Sequence, residues 1–152
     1  MMAKVTDALK YYLRSAKYWK EKKDYLSAKM ERLRSRAEKT TTTYSDTPTF
    51  GSYDDYRQTV IADMIDTERQ YKEAVTECKN KLQEIEWFIA TLDDYDERDT
   101  LERHYLHFDD WPDVAKGKHY TERHIHNFHS NGLKHLLENH QKIIENGGKP
   151  LF

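Results

Sequence analysis

The sequence predicts an all-α protein: a long antiparallel helical hairpin followed by a smaller helical module. Three observations carry this. The 152 residues include only 5 Gly and 3 Pro, too few turn-formers for a many-stranded sheet, while Lys, Glu, Arg, Leu and Ala suit helices. Hydrophobic residues make up 37% against 34% charged, a thin core for one globule and a better match to elongated helices. Finally, two long stretches repeat their apolar residues at alternating steps of four and three.

The first stripe runs from Val5 through Leu9, Tyr12, Ala16, Trp19, Lys23, Leu26, Met30 and Leu33 to Ala37, with Lys23 as its one polar member. The second runs from Met64 through Glu68, Tyr71, Val75, Cys78, Leu82, Ile85 and Ile89 to Leu92, with Glu68 as its exception. A repeat of 3.5 residues is the seam that supercoiled helices bury. Between the stripes lies TTTTYSDTPTFGS, residues 40–52, which has no helical stripe and reads as a loop. Ser52 followed by Asp55 resembles a capping box and starts the second helix near Tyr53. Folding back about this loop brings together positions whose numbers sum to about 91, so Lys23 meets Glu68. Either the two form a buried pair that selects the register, or each side chain snorkels to solvent. Cys78, at a seam position, reads as a packing residue. The hairpin is expected over residues 1–93.

Charge is segregated along the chain. Residues 1–39 carry 12 Lys/Arg against 5 Asp/Glu, residues 40–95 carry 5 against 12, and residues 96–152 carry 8 against 10, leaving a net charge of -2. A basic first segment suits a nucleic-acid arm, but an acidic segment of equal and opposite charge follows it, and intramolecular pairing is the reading preferred. A mean hydropathy of -1.04 and the lack of any apolar run near ~20 residues exclude a membrane span. The opening MMAKVTDALKYY has no signal-peptide core, and a single cysteine excludes a disulfide framework, so a cytoplasmic protein is expected.

Beyond the hairpin, Asp96 with Asp99 marks a helix start, and Leu101 and Tyr105 mark its inner side, with an end near His107. Asp110, Trp111, Pro112 and Asp113 open a short helix that ends around Gly117. Thr121 then caps a helix whose inner side carries Ile125, Phe128, Gly132, Leu133, Leu136 and Leu137. Two short helices joined by a four-residue turn predict a helix-turn-helix within residues 96–144, followed by a tail over 145–152.

The pieces Arg98-Asp99, Tyr105-Leu106, Trp111, Val114-Ala115, Tyr120-Thr121-Glu122-Arg123, Ile125, Phe128, Gly132-Leu133 and Leu136 stand in an order and spacing that resembles region 4 of sigma-70-type factors. About 40 residues carry the likeness. Lys118 departs from it where the family has an apolar residue, and His119 where the turn has Gly. A sigma-like carboxy terminus after a helical segment also looks like phage late transcription activators of the ArpU and RinA type. The resemblance implies sequence-specific binding to double-stranded DNA, promoter control with RNA polymerase as a further partner, and the cytoplasm of a bacterial host. A homo-oligomer is expected as well.

In such a module, outward side chains on the first turns of the second helix read base edges in the major groove. By register these are Glu122, Arg123, His126 and Asn127; Arg123 suits guanine, Asn127 adenine and Glu122 cytosine. Lys116, Lys118, Lys134 and the Thr121 hydroxyl are the expected phosphate contacts. The module's own charge of -2 opposes DNA binding, and its eight histidines answer this in part, since each is partly protonated near neutral pH. His104 with His107, and His126 with His129, have the i, i+3 spacing of metal pairs, yet no carboxylate-bearing motif accompanies them and no metal or cofactor is expected. Neither a phosphate loop nor a nucleophile elbow is present, so the chain reads as a non-enzyme. The competing reading is a protein-interaction adaptor that binds polymerase or another host protein.

Overall fold

The computed structural model describes the backbone of residues 2–42 and 52–152 and the side chains of residues 3–39 and 55–152. Among the described residues there are helices and no strand: α1 (Met2–Leu13), α2 (Ser15–Thr42), α3 (Ser52–Ile89), α4 (Tyr95–Leu101), a π-helical turn (Glu102–Leu106), α5 (Trp111–Lys118) and α6 (Glu122–Glu145). None of the described helices is long and apolar enough to cross a membrane. Residues 40–42 and Ser52, expected in the loop, are helical; residues 43–51 and the side chain of the expected cap Ser52 lie outside the described residues.

The single helix expected over 5–37 is broken at Arg14. Its ladder runs through the break, with Arg14 N–H donating to Lys10 O at 3.0 Å and Tyr18 N–H to Arg14 O at 3.1 Å. The Ser15 hydroxyl donates to Tyr12 O at 2.6 Å, and back-bonding of this kind bends helices.

The chain divides into two compact units, Met1–Tyr18 with Lys79–Phe152, and Trp19–Cys78. This differs from the expected boundary near residue 94. In the first unit, Leu9, Tyr12 and Leu13 of α1, Ile85 and Phe88 of α3, Leu101, Tyr105 and Leu136 enter one core. Both ends of the expected hairpin therefore fold together with the carboxy-terminal helices. Tyr12 Oη–H donates to Glu84 Oε1 at 2.7 Å, and burial, aided by that carboxylate, raises the phenol's pKa. Gly132 permits a close approach of α6 to α4, since a Cβ there would lie 3.0 Å from Leu101 Cδ1. The helix cap at α4 is Asp94, which accepts from Glu97 N–H at 2.9 Å, so the helix starts earlier than the expected Asp96. The expected tail folds back: Leu151 N–H donates to His140 Nε2 at 3.0 Å, and the Phe152 ring stacks on His140 at 4.1 Å.

In the Trp19–Cys78 unit, α2 and α3 run antiparallel. Met30 and Arg34 of α2 line a groove with Ile61, Met64 and Ile65 of α3. The buried positions of α3 here are Val60, Thr67, Ala74 and Cys78, not Glu68 and Val75. Beyond Cys78 the stripe continues through Ile85, Ile89 and Leu92 as expected, so its phase slips at Cys78 by the extra four-residue step of a stutter. Of the two alternatives for Lys23 and Glu68, the buried pair is not formed and the solvent-facing one holds for Glu68. Glu68 is exposed and bonds Lys72 on its own helix at 3.2 Å.

Candidate functional site

The α5–turn–α6 segment is organised by a small second cluster in which Val114 and Ala115 of α5 meet Ile125 of α6, flanked by Trp111 and Phe128. Pro112 lies in the first turn of α5, where its missing N–H costs nothing. The helix ends on His119, whose φ of 61° is left-handed. Tyr120 N–H then donates to Ala115 O at 3.1 Å and His119 N–H to Lys116 O at 3.3 Å, the paired bonds that close a helix when the next residue turns left-handed. Thr121 follows in extended conformation and caps α6, its Oγ1 accepting from His124 N–H at 3.3 Å.

That cap fixes which side of α6 faces outward. Ile125 is fully buried and Phe128 half-buried, so Glu122, Arg123, His126 and Asn127 all come out exposed on the first two turns. Lys116 and Lys134 are exposed as well. His126, Ser130 and Lys134 recur at every fourth position and continue this exposed face along α6.

Lys118 is a correction. Expected to meet phosphate, its side chain is only 4% exposed and lies 2.9 Å from Asp99 Oδ2 and 3.2 Å from Asp96 Oδ1. The Tyr95 and Phe128 rings flank the ammonium at 5.4 and 5.7 Å. Burial disfavours the charged amine, but the two carboxylates outweigh it and hold its pKa above the usual lysine value. Burial likewise tends to raise Asp99, and bonds from Lys118 and Arg103 outweigh it to leave that carboxyl below its usual range. The lysine ties α5 to α4.

The histidines separate into groups with different chemistry. His129 is buried and shares a hydrogen bond between its Nε2 and Tyr105 Oη at 2.7 Å; burial, then the nearby charges of His104 and Lys10, push its pKa down to about 3. His104 stacks on Trp111 at 3.7 Å and donates from Nδ1 to Asp109 O at 2.8 Å. Burial lowers its pKa, and the charges of Lys17 and Arg14 add to that. His140, partly enclosed by the returning tail, is also lowered by burial. His135 bonds Glu97 Oε2 at 2.7 Å and is raised by that carboxylate. His119, His124 and His126 remain exposed around the start of α6, with His126 5.1 Å from the Trp111 ring. Among the described residues no three His, Cys, Asp or Glu side chains are grouped as metal ligands.

Sequence reasoning did not single out a basic face near the start of the chain. Lys10, Arg14 and Lys17 recur on one face at i, i+4 and i+7, and none of them forms an ion pair among the described residues. Thr6 and Lys10 form one wall of a groove of about 820 Å³ whose other wall is Ser130, Leu133, Lys134 and Leu137 of α6. Glu138 and Glu145 lie farther along the same groove beside Lys142. Arg14 is close enough to His104, Tyr105 and His129 to bias all three. The basic start of the chain was the available signal for this face.

No protein-family model, curated protein or solved structure matches this chain.

Proposed function

We propose that this protein is a non-enzymatic transcription regulator, phage-encoded and acting in a bacterial host, that binds double-stranded DNA through a sigma region 4-like helix-turn-helix made of α5, the His119 turn and α6. The observation carrying this reading is the exposed set Glu122, Arg123, His126 and Asn127 at the amino-terminal end of a helix whose opposite side is buried. An α-helix fits the major groove, and side chains so placed reach base edges there. Arg123 pairs with guanine and Asn127 with adenine, while Glu122 accepts from cytosine. Lys116, Lys134 and the Thr121 hydroxyl contact phosphates, joined by Lys10 of α1, Arg14 at the break and Lys17 at the start of α2, which supply the cationic charge that residues 96–152 lack. His129, buried and neutral, takes no part.

The test is selection of bound fragments from random DNA by the full chain, followed by titration at stated salt. Arg123→Ala and Asn127→Ala should each weaken the selected sequence by roughly 1 to 3 kcal/mol. Arg14→Ala should weaken all sequences alike and reduce the salt slope by about one. Unchanged affinity in both base-reading variants would sink the register proposed for α6. Acidic Asp109, Asp110 and Asp113 beside Trp111 favour a second reading, an adaptor that meets a basic protein surface such as one on RNA polymerase. Failure to select any DNA sequence would leave that reading standing.

A further inference from the structure

The groove between α1 and α6 joins an apolar lining to polar groups that no other part of the chain satisfies. At about 820 Å³ it has the size of pockets that take small molecules. Leu133 and Leu137 line it and continue into the core cluster. Lys10 enters from the α1 wall and Lys134 from the α6 wall, and neither has a carboxylate partner among the described residues.

His129 lines the same end of the groove, one helical turn before Leu133, with 9% of its surface exposed. Its Nε2 is committed to Tyr105 Oη, whereas its Nδ1 has no hydrogen-bond partner among the described residues. Nor is Nδ1 sealed off: the fully enclosed side-chain polar atom left without a partner among those residues is Thr100 Oγ1. A nitrogen at that depth stays costly until a ligand or water meets it.

Charge selects the ligand. The groups that act most strongly on His129 are His104, Lys10, His126 and Arg14, none of them acidic. Glu138 lies one turn beyond Lys134 on α6, followed by Lys142 and by Glu145, which accepts from Gln141 Nε2 at 3.3 Å. The groove is therefore cationic at the His129 end, and carboxylates outnumber lysines at the other. An anionic head group is drawn to the first end and leaves its apolar body over the two leucines.

We propose that this groove binds an aliphatic chain with a single anionic head group, a carboxylate or a phosphate monoester, that lies between Lys10 and Lys134 and accepts from His129 Nδ1–H. Bound in this way, the ligand holds the imidazole in the tautomer with its proton on Nδ1, and Tyr105 Oη–H then donates to Nε2. The site goes beyond the DNA-binding reading and does not depend on it. Where that reading holds, Lys10 and Lys134 cannot serve the ligand and DNA phosphates at once, and the two compete.

Titration calorimetry of the full chain with decanoate and with decyl phosphate, at fixed pH and ionic strength and without DNA, tests the proposal. At least one of the two should bind at a single site with a Kd of about 100 µM or tighter, and the tighter names the head group. Lys10→Ala and Lys134→Ala should each weaken it several-fold, while Lys149→Ala, exposed and outside the groove, should leave it unaltered. Decyltrimethylammonium, the same chain with the opposite charge, should bind several-fold more weakly. Failure of both anions to bind at about 1 mM, or equal binding of the cation, would overturn the proposal. Nitrogen-15 spectra of the imidazoles should show the His129 proton on Nδ1 in the complex. An unchanged His129 spectrum at ligand saturation would reject the placement of the head group. Because no DNA is present, failure here and failure of the promoter-binding reading are separate results.

Discussion

The two units solve the problem of a charged, glycine-poor chain in different ways. The Trp19–Cys78 hairpin repeats one device, a narrow seam whose buried side chains recur mostly at every seventh residue, as at Leu26 and Leu33 or Val60, Thr67 and Ala74, and exposes apolar groups such as Ile65 along its flank. The unit formed by Met1–Tyr18 and Lys79–Phe152 converges five helical segments on Phe88, Leu101 and Leu136, and adds polar contacts that only one arrangement satisfies. Tyr105 with His129, Lys118 with Asp96 and Asp99, and Asn139 with the Thr91 hydroxyl at 2.9 Å are examples. A seam can slide by a turn and still bury leucine; a buried phenol–imidazole bond cannot. The first device suits association, the second suits holding side chains at fixed positions.

The largest contrast is expected from core truncation. Phe88→Ala in the five-segment core should cost about 3 to 5 kcal/mol, while Leu33→Ala in the hairpin should cost about 2, since a shallow seam collapses onto the cavity more readily. Denaturant titration of both variants measures this, and equal losses would erase the distinction drawn between the units. A second, smaller effect concerns pH. The folded pKa of His129, about 3, lies below its ordinary value near 6.5, so the unfolded chain takes up the proton first. Its contribution is complete above about pH 6.5 and is lost as pH falls toward 3, with a slope of at most about 1.4 kcal/mol per pH unit. His140 is shifted in the same direction, so His129→Gln should flatten this acid limb only in part. Hydrogen exchange resolved by peptide should place the effect in residues 122–137 and not in residues 24–34. The smallest expected change is a gain. His119→Gly relieves a left-handed backbone at a residue that carries a Cβ and should raise stability by up to about 1 kcal/mol, less the entropy glycine adds to the unfolded chain.

Much of the fold was legible because helical burial is periodic and local. Leu9 to Ala37 lie where the 3.5-residue stripe places them, and the starts of α5 and α6 follow from Asp110 and Thr121. What escaped was written in the width of the stripes. Leu9, Tyr12, Leu13 and Ala16, like Ile85, Phe88, Ile89 and Leu92, bury two adjacent rows rather than one, the pattern of a helix packed against several neighbours. Glu68 was a second clue: a lone charge in an apolar seam marked a phase slip, and Thr67 holds the buried position beside it. In the candidate site, the outward set from Glu122 to Asn127 follows from a single helical period. Lys118 was misassigned because its partners lie 19 and 22 positions away, a pairing that no local rule reaches.

Lys118 also gives the molecule a chemical clock. Its ammonium, held by two carboxylates with 4% of the side chain exposed, must leave its site and lose a proton before it can react with an acylating reagent. Exposed Lys116, two positions away, needs no such opening. The ratio of their acylation rates, read by mass spectrometry from one short peptide, therefore reports how often α5 detaches from α4 under native conditions.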